Sequence, residues 1–413
     1  MIHFEKFTLS NGLKVIYHED KSTPLVCLNV LYNVGAKDES PDKTGFAHLF
    51  EHLMFGGSVN IPNYDTPLQN VGGENNAFTN NDLTNYYLTL PSQNIETAFW
   101  LESDRMLSLA FTPQSLEVQR SVVIEEFKQR YLNQPYGDVW LLLRPLAYKN
   151  HPYSWATIGK EISHIENATL EDVKSFFYKH YLPNNAVLVI AGNSSLEQVK
   201  ELSEKWFEPI EAKTVPARSL PIEPKQTEER RLVVHRDVPA NMIYKTYHMC
   251  GRGNQEFYVW DLMSDILSNG KSSRLYNALV KEQKLFTEVN AYVMGEMEPS
   301  LFVVSGKLHN GIDINKAEQA INDALDKLKT ELISETELQK VKNKIESTLT
   351  FSEMGLTNKA FSLAYNELLG DANRVNTEIE RYAHVSPEQI QKIAQDYLTK
   401  ENSSVLHYLS NPK

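Results

Sequence analysis

The chain has 413 residues, of which 41% are hydrophobic, and a formal net charge of −12 at pH 7. This length exceeds the roughly 250–300 residues at which a single core usually stops growing, so it predicts two domains. No apolar run reaches the about 18 residues that a membrane span needs, and the acidic charge disfavours nucleic acid, whose binding rests on Lys and Arg. We therefore expect neither a membrane nor a nucleic acid as a partner.

The compartment is predicted from two features of the chain. The first twenty residues lack the basic segment, apolar run and small-residue cleavage site of a secretion signal. Cys27 and Cys250 are the only cysteines, and so few cysteines supply neither a disulfide framework nor a cysteine-based zinc cluster. Both features favour the cytoplasm.

The order of strand-like and helical segments predicts two α+β domains. Residues 12–19 and 232–238 are strand-like, and each run is followed by helical stretches. Between them, residues 208–231 are rich in proline, charge and small polar residues and have no helical or strand period. We predict an N-terminal domain at 1–210, a linker at 211–230 and a C-terminal domain at 231–413.

The two halves end in similar segments, 169–190 and 386–409. Thr169 and Ser386 are each predicted to cap a helix that leads into a strand. Any amphipathic helix before a strand would show much of this pattern, but the matching offsets favour an internal duplication.

The stretch TGFAHLFEHLMFGG, residues 44–57, predicts one short helix. Thr44 is the predicted N-cap, and Gly56 and Gly57 are predicted to end the helix. At about 100° per residue, one side of this helix is an apolar stripe. The stripe comprises Phe46, Phe50, Leu53 and Met54.

His48, Glu51 and His52 fall together on the other side of this helix. Histidines one turn apart can both reach one zinc ion, and a carboxylate beside them can take a proton from a water that attacks a peptide carbonyl. The alternative is an ordinary solvated helix face, because 12 histidines produce this spacing by chance in some sequences. A third ligand would decide between the two.

The segment 115–131 offers that third ligand on a second predicted helix. Glu126 flanks the apolar stripe of this helix, whereas Glu125 points to the opposite side. We therefore predict Glu126 as the ligand and Glu125 as a solvated carboxylate. Gln119 lies two turns before Glu126 on the same flank and is a candidate hydrogen-bond partner of a ligand. An amide at the edge of the core is an equally good interpretation of Gln119.

His-x-x-Glu-His at residues 48–52, followed by Glu126 on a second helix, resembles the inverzincin motif of the pitrilysin/insulinase-type zinc metallopeptidases. Residues 72–91, 153–192 and 268–286 also resemble segments of that family, so the likeness covers nearly the whole chain. It is similar above all to the short, two-domain bacterial members that resemble mitochondrial processing peptidase subunits.

The resemblance implies two duplicated α+β domains, each a mainly antiparallel β-sheet packed with helices, that form half of a clamshell. It implies zinc in the first domain, with His48, His52 and Glu126 as ligands and Glu51 as the catalytic base. The implied function is a zinc endopeptidase or oligopeptidase that hydrolyses unfolded peptides in a closed chamber. The alternative is a non-catalytic scaffold or processing-complex subunit of the same fold.

The family also implies a peptide-binding edge strand at Asn76, Ala77, Phe78 and Thr79. Strand addition would supply affinity through the backbone, and pockets for alternate side chains would supply preference. Without the resemblance, an Asn-rich turn before a strand would be the preferred interpretation of these residues.

One departure from the family predicts a partner chain. The positions at which short members carry an arginine and a tyrosine, which support the substrate carbonyl and oxyanion, hold Val280 and Thr287 here. The nearby Arg274 and Tyr276 are interpreted as structural residues. We therefore expect a heterodimer in which a homologous, zinc-less subunit supplies the Arg/Tyr pair, or otherwise a homodimer.

Overall fold

In a computed structural model, residues 1–411 of the chain are described and form two compact units. The first unit comprises Met1–Gln129, Trp155–Leu220 and Thr350–Thr377. The second comprises Arg130–Ser154, Pro221–Leu349 and, of the described residues, 378–411. Each unit thus includes one segment from the other half of the sequence, whereas the predicted ranges 1–210, 211–230 and 231–413 are contiguous.

The strands and helices are named in chain order. The strands are β1 (Glu5–Thr8), β2 (Lys14–Glu19), β3 (Leu25–Tyr32), β4 (Glu74–Thr79), β5 (Thr84–Pro91), β6 (Ala186–Gly192), β7 (Arg230–Arg236), β8 (Met242–His248), β9 (Phe286–Val293), β10 (Leu301–Leu308) and β11 (Ser403–Ser410). The α-helices are α1 (Phe46–Leu53), α2 (Asp65–Asn70), α3 (Ile95–Leu107), α4 (Pro113–Phe127), α5 (Val139–Ala147), α6 (Ile162–Glu166), α7 (Leu170–His180), α8 (Leu196–Trp206), α9 (Glu256–Ser268), α10 (Ile314–Thr330), α11 (Glu335–Ser352), α12 (Leu356–Leu368), α13 (Arg374–Ala383) and α14 (Pro387–Tyr397). Two π-helical turns occur at Lys128–Leu132 and Tyr276–Glu282. Short 3-10 turns occur at Ala36–Asp38, Ser92–Asn94, Pro152–Ser154 and Pro183–Asn185.

The five strands of the second sheet have the same connectivity as β2 to β6 of the first sheet, which has β1 as an additional edge strand. The first has the strand order β1-β2-β6-β3-β5-β4, and the second has the order β7-β11-β8-β10-β9. Neighbouring strands are antiparallel except β2 with β6 and β7 with β11, which occupy equivalent places in the two sheets. The expectation of two duplicated α+β domains with mainly antiparallel sheets is therefore confirmed.

The helices that suggested duplication also match. Thr169 caps α7 and Ser386 caps α14, each accepting a hydrogen bond from the backbone N–H three residues later. These helices lead into β6 and β11, which hold equivalent central positions in their sheets. The repeated segments are thus one supersecondary unit used twice.

Arg130–Ser154 and Thr350–Thr377, the two segments that each belong to the unit of the other half of the sequence, contribute helices that pack on the sheets. Every residue of β6 is buried, which requires packing on both faces of the first sheet, and α12 contacts β3 and β6 there. Glu367 on α12 pairs with Lys6 at 2.9 Å and with Lys14 at 2.8 Å. In the second unit, α5 packs on β11 through Val139 and Leu143. No local feature of the sequence predicts that α5 and α12 lie in these units, because the apolar face of a helix does not specify which sheet it covers.

No helix within residues 1–411 has both the length and the apolar character needed to cross a membrane. Cys27 and Cys250 are free thiols.

Candidate metal centre

Helix α1 separates its apolar and polar residues as predicted. Phe46, Leu49, Phe50 and Leu53 are buried, whereas the side chains on the opposite side are only partly buried. The partly buried set comprises His48, Glu51 and His52. Burial of the apolar side therefore holds the three polar side chains towards a partly open surface.

The predicted helix cap is wrong. Helix α1 begins after Gly45, whose φ of 87° lies in the left-handed region that glycine tolerates, and not after Thr44. The Thr44 hydroxyl is hydrogen-bonded to His164 Nδ1 at 2.8 Å and accepts the backbone N–H of Lys160 at 2.8 Å. The free backbone N–H groups of the first turn instead donate to the carboxylate of Glu39, from Gly45 at 3.0 Å and from Ala47 at 2.8 Å. A carboxylate supplied from upstream thus replaces the local cap.

Helix α4 carries the third predicted ligand and packs against α1. Thr112 caps this helix and Pro113 occupies its first turn, as the sequence rules for helix starts favour. Glu126 is partly buried, whereas Glu125 is exposed and pairs with Lys128 at 2.7 Å. The helical period therefore separated the two adjacent glutamates correctly.

The three predicted ligands meet in space. One potential ligand atom from each of His48, His52 and Glu126 lies within 4.8 Å of the other two. Glu126 Oε2 is 3.6 Å from His48 Nε2 and 3.4 Å from His52 Nε2. No other group of three His, Cys, Asp or Glu side chains within residues 1–411 has this proximity.

These distances fit a zinc ion. They exceed the 2.7–3.2 Å of a good N–H···O hydrogen bond, so hydrogen bonding alone does not explain the cluster. Zinc–ligand bonds of about 2.0–2.1 Å in a tetrahedron separate ligand atoms by about 3.3 Å, which is close to both distances. The three side chains are between 13% and 25% exposed, which leaves an approach for a fourth ligand. The donor set of two imidazoles and one carboxylate is also one that zinc accepts in hydrolytic sites.

Glu51 contacts the end of strand β4. Its carboxylate accepts hydrogen bonds from the side chain and the backbone N–H of Thr79. Burial raises the pKa of the Glu51 carboxyl above its ordinary value, while Thr79 and the nearby His52 oppose the shift. A carboxylate whose pKa moves towards neutrality is better suited to accept and return a proton.

Strand β4 is an edge strand of the first sheet. It pairs with β5 on one side, and Ala77 lies opposite Tyr86. The backbone N–H of Ala77 donates to Asn76 Oδ1 at 2.8 Å and that of Thr79 donates to Glu51, so both N–H groups point away from β5. The side chain of Phe78 lies on the face of the sheet that α12 covers, where its ring centroid is 5.3 Å from that of Phe361. The predicted substrate segment thus lies beside Glu51 on a sheet edge that pairs with no second described strand, and its outward N–H groups are bonded to side chains.

Gln119 lies two turns before Glu126 on α4 and is partly buried. Its role as a hydrogen-bond partner of a ligand stays a prediction.

The second unit has neither arginine nor tyrosine at the positions where the family resemblance implies them. Val280 packs against the core of that unit. Thr287 lies on the edge strand β9, and its hydroxyl donates to the carbonyl of Lys307 at 3.1 Å. Arg274 makes two hydrogen bonds to Glu337, at 2.9 and 2.7 Å, as a structural residue would.

Two contacts of the site were missed by the sequence analysis. The sequence contains only a weak indication that a distant group caps α1: the glycine directly before the helix has no side chain with which to cap it. The contact of Thr79 with Glu51 had no local signal, because it depends on how α1 packs against β4.

Comparison with known proteins identifies the family of the chain. Residues 14–159 match the family described as insulinase (peptidase family M16), and residues 167–345 match the peptidase M16 inactive domain. The zinc protease PqqE of Helicobacter pylori is 32% identical over 346 residues, which are 82% of this chain and 77% of that protein.

Solved structures share the whole fold. A protease from Helicobacter pylori has a TM-score of 0.93 and 28% identity, with 100% of both chains covered. A peptidase M16 inactive domain from Pseudomonas fluorescens has a TM-score of 0.88 and 15% identity, with 100% of this chain and 99% of that chain covered. His48, Glu51, His52 and Glu126 all lie in the part that matches the insulinase description.

Proposed function

Because the chain belongs to the insulinase (M16) family of peptidases, we propose that it is a zinc-dependent endopeptidase or oligopeptidase that hydrolyses unfolded peptides. One observation carries the proposal: three convergent potential ligand atoms lie beside a carboxylate that touches the edge strand β4. A complete set of ligands with a base has little purely structural use.

The site residues have two roles, metal binding and proton transfer. His48, His52 and Glu126 would hold the zinc ion. A zinc ion held there would polarise the peptide carbonyl and acidify the attacking water. Glu51 accepts the proton of that water and passes it to the nitrogen of the amine that leaves, so that the C–N bond breaks.

Strand β4 positions the peptide. The outward N–H of Ala77 can donate to a peptide carbonyl once the side chain of Asn76 turns away. Only an extended segment can pair along such an edge, which supports unfolded peptides as substrates. The closed chamber that the family resemblance implies would act in the same direction.

We also propose that this chain is the catalytic subunit of a cytoplasmic two-chain enzyme. Val280 has no polar side-chain atom and the Thr287 hydroxyl already donates to Lys307, which supports a homologous, zinc-less partner that supplies the Arg/Tyr pair. A homodimer is the second arrangement, and it should hydrolyse peptides weakly. Full activity of the purified chain alone would contradict the heterodimer.

The test compares Glu51→Gln with Glu125→Gln, a matched substitution at an exposed neighbour of the ligand Glu126. Both variants should bind one zinc ion per chain, measured by atomic absorption. Hydrolysis of a mixed peptide library, with and without candidate partner chains, should fall by about 10²–10⁴-fold in Glu51→Gln only. Unchanged hydrolysis in Glu51→Gln would remove Glu51 as the base.

The missing Arg/Tyr pair also favours a second candidate, a non-catalytic scaffold or processing-complex subunit. A scaffold would bind peptides or partner chains without hydrolysing them, whatever the zinc content. If no partner chain confers zinc-dependent hydrolysis on the wild-type chain, while complexes still form, the scaffold replaces the peptidase.

A further inference from the structure

The N-terminus of α1 depends on a carboxylate outside the helix. Glu39 is only 7% exposed and accepts three hydrogen bonds: from Gly45 N–H, from Ala47 N–H and from the indole N–H of Trp155 at 3.0 Å. Burial raises the pKa of the Glu39 carboxyl, whereas these hydrogen bonds favour its charged form. All three partners are donors, so a carboxylate satisfies them and the negative charge also suits the positive end of the helix.

The loop that carries Glu39 is fastened to the end of β4. The N–H of Ala36 donates to the carbonyl of Asn80 at 3.0 Å, and the N–H of Lys37 donates to that of Asn81 at 2.9 Å. Lys37 Nζ also forms a buried ion pair with Asp82 Oδ1 at 2.8 Å. Residues 35–39 therefore join the end of the edge strand to the start of α1.

Gly35 shows how close this contact is. A Cβ atom at Gly35 would lie 2.6 Å from backbone atoms of Asn80, Asn81 and Asp82, a distance that real Cβ atoms essentially never show. The loop can approach the end of β4 this closely only because residue 35 has no side chain.

We propose that Glu39 is a positioning residue that holds α1 at a fixed place relative to β4. Helix α1 has only eight residues, which is too short for a helix to be stable by itself in water. Its position along its own axis sets where His48 and Glu51 stand relative to a peptide on β4. This inference rests on the proposed function for its catalytic consequence, but the anchoring of α1 can be measured without it.

The test uses Glu39→Gln with Glu367→Gln as the matched control. A carboxamide has a single acceptor oxygen, and its NH₂ group would face at least one of the three donors. Glu367 is also a buried glutamate of the first unit, but its hydrogen-bond partners are Lys6, Lys14 and Ala372. The control therefore measures the general cost of replacing a buried glutamate.

Three measurements are made on both variants and on the wild type. Hydrogen–deuterium exchange of residues 46–53 in the zinc-free protein should be about tenfold faster in Glu39→Gln only. The zinc dissociation constant, measured by chelator competition, should rise by about 10–100-fold. In the zinc-loaded enzyme kcat should fall by a similar factor, with a smaller change in KM, because the base is displaced from the bound peptide.

A second variant covers the case in which Glu39→Gln does not fold. Trp155→Phe removes one of the three donors to Glu39 and should change exchange and zinc affinity in the same direction, by about threefold. Exchange, zinc affinity and kcat equal to those of Glu367→Gln would overturn the inference. A wild-type protein that binds zinc yet hydrolyses no peptide with any partner would instead overturn the proposed function. Hydrogen–deuterium exchange would still test whether Glu39 anchors α1.

Discussion

The substitution Ala77→Pro tests whether a peptide pairs with strand β4. The N–H of Ala77 donates to Asn76 Oδ1 and takes no part in the pairing of β4 with β5. Proline is tolerated on an edge strand where the missing N–H points outward, so unfolding should become easier by only about 1 kcal/mol.

The effect on peptide hydrolysis should be larger. A peptide on β4 loses one backbone hydrogen bond, worth about 1 kcal/mol, and the proline ring displaces the neighbouring contact by a similar amount. A total of about 2 kcal/mol corresponds to roughly 30-fold in kcat/KM. The zinc dissociation constant should not change, because Ala77 lies outside the ligand set.

The assay measures kcat/KM on unfolded peptides together with urea unfolding and chelator competition. Ala77→Gly is the control, because it shortens the side chain and keeps the N–H, and it should change kcat/KM by less than about threefold. If Ala77→Pro hydrolyses the same peptides as fast as the wild type, the peptide does not pair with β4 at this residue, and the role of the edge strand must be abandoned.

Three further outcomes are expected. Removing zinc with a chelator should stop hydrolysis while circular dichroism stays unchanged, because α1 is held by its buried apolar side, and added zinc should restore activity. Gly35→Ala should lower stability by about 1–3 kcal/mol in thermal unfolding and weaken zinc binding, since its Cβ forces the loop away from β4; unchanged zinc affinity would contradict the coupling. Glu318→Gln should cost about 3 kcal/mol in urea at pH 7, because it leaves the buried Lys245 without its anionic partner.

The pH dependence of the last variant has a definite sign. Although burial opposes the shift, hydrogen bonds from His407 and Arg231 hold the pKa of Glu318 well below its usual range. The stabilisation is therefore complete above the unfolded pKa of about 4.3 and is lost as the pH falls below it. The difference in unfolding free energy between wild type and Glu318→Gln should shrink from pH 5 to pH 3; a constant difference would refute this account.

The sequence by itself determined the parts of the site that depend on local geometry. Two histidines four residues apart on one helix lie on adjacent turns whatever the rest of the fold does, so the spacing by itself predicted that His48 and His52 can reach one metal ion. The same period separated Glu126 from Glu125 on α4. The duplication was also visible, because capped helices leading into strands repeat at Thr169 and Ser386.

Only the tertiary structure decided which groups from distant segments meet. Local rules predicted Thr44 as the cap. Glu39 takes that role because residues 35–39, which are hydrogen-bonded to the backbone just after β4, bring a carboxylate to the start of α1. The edge position of β4 follows from pairing between strands far apart in sequence, and so does the contact of Thr79 with Glu51. Long-range packing also decides that α5 belongs to the second unit and α12 to the first. The apolar face of a helix is the same whichever sheet it covers.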